Sequence, residues 1–320
     1  MNVVKVCEEM RPAIENLRSA GERIETTQST IYSTEEVREI TDILPSVFWA
    51  ALPHFVEGRE QNPIYHNTQV LDNMVRIGLG EHPPYREFKN AVLLALVHDI
   101  GNAVSRRPKF KTDEVVAAFQ RGTQEGIDTA LKAVAFRLEH MDNGPELARD
   151  VLSSLVRQGK LRDDDVHLIG RAITVHDYPS VETVLKGLAD KTQTSFGYVP
   201  GDFLLAFDNS PFGRLIMWLR EADRLFMLSE QGVIKDVRDG LDGDDEPTAE
   251  ALLAKLQSNA NKHAEEFDLY KLAGRADGFR EETLYRTQTG HGLFAKFLAD
   301  GRARWAQVGS EIKTIDSDVE

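Results

Sequence analysis

The sequence predicts an all-α fold, and three observations carry that expectation. Apolar residues recur at i, i+3, i+4 and i+7 in almost every segment outside the polar connections. Alternating or continuous apolar runs of strand length, bounded by turn residues, are nearly absent, which disfavours a parallel α/β hydrolase. There is also no glycine-rich phosphate loop and no nucleophilic serine elbow.

The elements follow in order. From Asn2 to about Leu44, apolar positions Val3, Val4, Val6, Ile14 and Leu17, then Val37, Ile40 and Ile43, read as two amphipathic helices around a polar stretch, Thr26 to Ser33. Ser33-Thr34-Glu35-Glu36 offers a capping hydroxyl and first-turn acids for the second helix, which continues apolar and aromatic from Leu44 to Phe55. After Pro63, the spacing of Val70, Leu71, Met74 and Val75 predicts a helix with His66 in its first turn. Pro83-Pro84 forces a break, and Arg86 to His98 forms a helix presenting Phe88, Val92, Ala95 and Leu96 to a core, ended by Gly101.

Thr129 to His140 is helical in pattern and delivers Glu139-His140 at its end; Asn143-Gly144-Pro145 is read as a break, with a new helix through Leu147, Val151, Leu152 and Leu155. Asp163 to His176 brings His176-Asp177 to the end of a further helix. Periodicity weakens between Pro179 and Pro211, and residues 190–211 are expected to be an insertion able to fold over a site as a lid. Gly213 to Leu228 is strongly amphipathic, with Asp223 in the middle of its apolar pattern. Asp236 to Glu246 reads as a solvated acidic connection, and two more helices follow, through Leu252 to Phe267 and Leu293 to Trp305. The expected organisation is N-terminal helices over 1–60 packing on a core at 61–230, a C-terminal helical extension at 231–308, and a disordered tail at 309–320.

Composition narrows the chemistry. With 320 residues and 41% hydrophobic content the chain can bury a large core. No apolar run is long enough to span a bilayer, and Met1 to Ala20 alternates charged and apolar residues, so a cytoplasmic location and no membrane partner are expected. A net charge of −14 argues against an extended grip on nucleic acid, although a small phosphorylated substrate can still be held by local cations and metal ions. The single cysteine, Cys7, excludes an internal disulfide and a thiolate cluster, leaving His, Asp and Glu as metal ligands.

The chain is organised around Leu93-Leu94-Ala95-Leu96-Val97-His98-Asp99-Ile100-Gly101-Asn102, an apolar helix ending in an imidazole beside a carboxylate. Burying that pair is costly unless something compensates, and a divalent metal does so effectively, although a His-Asp dipeptide is ordinarily just hydrogen-bonded structure. Four further positions change the balance: His66, His140, His176 and Asp223 join His98 and Asp99 as six candidate ligands near the ends of, or on, different helices. His140 has a competing role as a carbonyl cap at a helix end, and Asp177 competes with His176. Six ligands exceed the needs of one catalytic ion, whereas two ions bridged by Asp99 would use them all. Arg106-Arg107-Pro108-Lys109-Phe110-Lys111, the densest basic cluster, is either a solvated loop or a phosphate-attracting rim.

In the order His66, His98-Asp99, His140, His176, Asp223, with Tyr65-His66-Asn67, Glu139-His140 before Gly144, and Glu221-Ala222-Asp223-Arg224-Leu225, residues 65 to 228 resemble the HD-domain superfamily of metal-dependent phosphohydrolases. The resemblance implies a helical bundle in which His66, His98, Asp99 and Asp223 hold one metal and Asp99, His140 and His176 a second, as in the dinuclear branch. It implies two divalent ions, iron or manganese ahead of nickel, cobalt, zinc or magnesium. Asp99 is the catalytic centre of that arrangement. Asn102 stands where several relatives carry a lysine, so Arg106, Lys109, Lys111 and Arg224 are the candidate substrate-binding cations.

The expected activity is hydrolysis of a phosphoester of a nucleotide or other small phosphorylated metabolite by a metal-bridging hydroxide. The alternative is a mixed-valent diiron oxygenase of the same superfamily, which cleaves a carbon bond with O2 and uses a similar ligand set. A non-catalytic nucleotide-binding regulator is the third reading; the presence of all six ligand positions argues against it. The C-terminal helices are read as a cover for the site or as a homodimer contact.

Overall fold

A computed structural model describes residues 3–27, 31–60, 62–105, 124–176, 210–240, 246–272, 278–281 and 283–319. Its elements are α1 (Val3–Thr26), α2 (Thr34–Gly58), α3 (Tyr65–Glu81), α4 (Tyr85–Val97), a 3-10 turn (Ile100–Ala103), α5 (Gln124–Arg157), α6 (Asp163–Ile173), α7 (Pro211–Phe226), α8 (Glu230–Arg238), α9 (Ala249–Leu272) and α10 (Gln288–Val319). The fold is all-α, with no strand among the described residues.

Local chemistry explains where these helices begin. At the start of α2, Ser33 Oγ accepts from the Glu36 amide while Glu36 returns its carboxylate to the Ser33 amide, so two otherwise unpaired groups satisfy each other. Before α3, the Ile64 amide donates to the buried Glu9 carboxylate at 2.9 Å, tying the helix entry to α1. The polar Asn67 side chain, buried on α3, donates to Leu96 O at 3.0 Å and so fixes α3 against the end of α4.

Helix boundaries differ from expectation at three places. Asn143-Gly144-Pro145 does not break the chain: Pro145 lies inside the single helix α5. Proline removes one amide donor, but Gly144 here sits between Ile173 and Gly101, and packing on both sides outweighs the lost bond. The stretch after Leu228 also contains a helix, α8, capped by Ser229 Oγ accepting from the Gly232 amide. Residues 309–319, expected to form a disordered tail, continue α10.

Two compact units divide the chain at Arg220/Glu221, inside α7. In the first unit α1 packs on α3, α3 on α4, and α5 on α6, while the 3-10 turn is held by both α2 and α5. Every residue of α4 from Phe88 to Val97 is buried, so this helix is the axis of the unit and delivers its C-terminal end to the interior. The second unit has its own core of Leu228, Val233, Val237, Leu252, Leu256, Ala260 and Trp305. Among the described residues no helix is long and apolar enough to cross a membrane.

Candidate metal centre

Three glycines let the backbone close around the end of α4. A Cβ on Gly58 of α2 would meet the Asn102 carbonyl carbon at 2.9 Å, one on Gly101 would meet His140 O at 1.9 Å, and one on Gly144 would meet Ile173 Cγ2 at 2.5 Å. The 3-10 turn is therefore in direct backbone contact with α5, and the α5 backbone at Gly144 lies against the Ile173 side chain of α6. Gly101→Ala should cost about 1–3 kcal/mol, because the obstacle is backbone that cannot turn aside. A urea midpoint that does not move would contradict this close packing.

That closure gathers four imidazoles around one carboxylate. His98, at the C-cap of α4, is fully buried, and its Nδ1 donates to Ala95 O at 2.8 Å. His176, in the turn beyond α6, does the same to Ile173 O at 2.7 Å. His66 lies in the first turn of α3 and His140 inside α5, not at a helix end as expected. All four rings are buried.

The contacts sort by carboxylate oxygen. Asp99 Oδ2 faces His66 Nε2 at 3.3 Å and His98 Nε2 at 3.7 Å. Asp99 Oδ1 faces His176 Nε2 at 3.1 Å and His140 Nε2 at 3.6 Å. The Nε2 atoms of His140 and His176 are 3.4 Å apart. His98, Asp99 and His176 place ligand atoms within 4.8 Å of one another, a set that could hold a metal ion.

Electrostatics make such an ion chemically apt. A carbonyl only accepts, so Nδ1 of His98 and of His176 carries a proton, and in its neutral form each ring would turn its Nε2 lone pair toward Asp99. Lone pair against carboxylate repels unless a proton or a cation lies between them. Protonating several rings would concentrate positive charge in a buried space, whereas one or two divalent ions satisfy several donors at once. Where protons take the place of a cation, burial by itself raises the Asp99 carboxyl, but the charge of protonated His98 and hydrogen bonds from His176 and His66 outweigh it and hold the group well below the ordinary carboxylate range. A carboxyl lowered in this way stabilises the fold above its ordinary titration range and loses that contribution as pH falls through its folded value.

Asp223 stands in the last turns of α7, half-buried, and belongs to the second unit. Its neighbour Glu221 is fully buried and accepts from the Arg286 amide at 2.7 Å, the Thr287 amide at 3.0 Å and Thr287 Oγ1 at 2.5 Å. Arg224, a candidate substrate cation, has Nη1 at 3.4 Å from Met227 Sδ. Arg106, Lys109, Lys111, Asp177 and residues 190–209 of the expected lid lie outside the described residues.

One participant was not foreseen. Asn62 Nδ2 donates to Asp99 Oδ2, the oxygen that faces His66 and His98. An asparagine between Gln61 and Pro63 has no spacing signal in the sequence, because the contact spans 37 residues. No family model matches the chain, and neither a curated protein nor a solved structure does.

Proposed function

We propose that the chain is a metal-dependent phosphohydrolase of the HD-domain type, acting on a small phosphorylated substrate such as a nucleotide. The observation that carries the proposal is the division of Asp99 between two histidine pairs, Oδ2 toward His66 and His98, Oδ1 toward His140 and His176. A carboxylate flanked in this way suits a bridge between two ions. His66, His98 and Asp99 would hold one, and Asp99, His140 and His176 the other. Asp223 is proposed as the further carboxylate of the first set, from its place in the order of the motif.

When bound, two such ions activate water and stabilise charge on a displaced phosphoryl group. This chain's own residues prepare that chemistry. The Ala95 and Ile173 carbonyls fix the tautomers of His98 and His176 so that Nε2 is the ligating atom. Asn62 restrains the Asp99 carboxylate through Oδ2. Iron or manganese suits this imidazole and carboxylate donor set, and Arg106, Lys109, Lys111 and Arg224 are the cations proposed to receive the substrate phosphate.

Metal analysis of protein purified without chelator, paired with phosphate release from a nucleotide panel, tests the reading. About two ions per chain with metal-dependent phosphate release are expected. Two irons with oxygen uptake and no phosphate release would replace the hydrolase with the oxygenase.

The ligands also set a pH limit. Histidine binds metal only when neutral, so dialysis from about pH 7.5 to about pH 5 should release the ions, and returning the pH with added metal should restore them. Metal content unchanged at the lower pH would exclude a histidine-dominated site.

A further inference from the structure

We propose that the outer face of α2 is a twofold contact between two copies of this chain, centred on Trp49. The centre of the face is apolar although it points away from the core, with exposed Ser46 and Glu57 beside it. Trp49 is 54% exposed, Pro45 and Pro53 are exposed, and Val56 continues the row, while Val47, Phe48, Ala51 and Phe55 fill the buried side. A helix apolar on both sides, outside a membrane, has two faces to cover.

What identifies the occupant is the symmetry of the face. Pro45 and Pro53 lie four residues before and after Trp49, and Arg38 and Glu60 lie eleven before and after it. Eleven residues are about three helical turns, so Arg38, Trp49 and Glu60 project from nearly the same side. The αR conformation of Arg59 carries the chain on toward Glu60 without a reversal. An antiparallel copy related by a twofold axis through Trp49 therefore places Trp49 on Trp49, proline opposite proline, and Arg38 opposite Glu60, each charge pair occurring twice. Both Arg38 and Glu60 are exposed, and neither makes an ion pair among the described residues. Asp42 falls opposite Val56, a mismatch at which the carboxylate stays hydrated at the rim. An unrelated partner would have no reason to match a charge pattern that complements itself on reversal. The central aromatic is also the residue type that dominates interface energies.

Sedimentation velocity across a concentration series tests this without reference to the metal centre, with circular dichroism confirming that each variant keeps its helix content. The wild-type chain is expected to dimerise, and Trp49→Asp to raise the dimer dissociation constant about tenfold or more. Arg38→Glu and Glu60→Arg should each weaken the dimer about threefold to tenfold, and the double variant should recover most of the loss, because the swap restores both pairs. A wild-type chain that stays monomeric at every concentration would overturn the proposal and leave the face to another segment or a different partner. A dimer that survives Trp49→Asp, or a double variant no better than its parents, would overturn it as well.

Discussion

Asp99→Asn is expected to empty the metal centre of both ions and lower phosphate release by about 10³-fold, while leaving the fold intact. Asparagine keeps the shape of aspartate but carries no charge and has one oxygen where aspartate has two. In the structure those two oxygens serve different histidine pairs, so one substitution reaches both halves of the site. Removing that negative charge leaves four buried imidazoles without the carboxylate between them, so the second ion keeps only neutral donors and the first keeps Asp223 as its one proposed anionic ligand. Metal analysis and a phosphate assay on the same preparation check the result. Retention of one full ion per chain would mean that one histidine pair binds without the shared carboxylate.

His140→Ala should act on one half only. Its Nε2 lies 3.6 Å from Oδ1 and 3.4 Å from His176 Nε2, which places it on the Oδ1 side of Asp99. The expected outcome is about one ion per chain and phosphate release lowered about 10²-fold, with the ion on the His66 and His98 side retained. His66→Ala should produce the mirror result. If His140→Ala instead leaves metal content and activity unchanged, His140 is a buried structural imidazole and the second ion has no basis.

Much of this arrangement is legible in the sequence because its signals are local. The proline before His66, the hydroxyl and acids at Ser33 to Glu36, and the unbroken apolar run into His98 each act within a few residues, and each appears in the structure where it is read. What is illegible is set by packing between distant segments. Asn143-Gly144-Pro145 carries the local marks of a helix end, yet Gly144 is there to let α5 approach Ile173 and Gly101, and the helix runs on. His140 consequently reaches Asp99 from the side of a continuous helix and not from its tip. Asn62 is a similar case, since its partner lies 37 residues away and no periodicity links them. The four-histidine grouping could be listed from the sequence, but its division between the two oxygens of Asp99 is a property of the folded chain alone.

The most direct measurement is anomalous diffraction from crystals grown with the metal found in the purified protein. The account predicts two peaks about 4 Å apart, one beside Asp99 Oδ2 within reach of His66 and His98, the other beside Oδ1 within reach of His140 and His176. A single peak, or none at Asp99 in crystals of metal-loaded protein, would contradict the bridged pair and with it the proposed route to phosphoester hydrolysis.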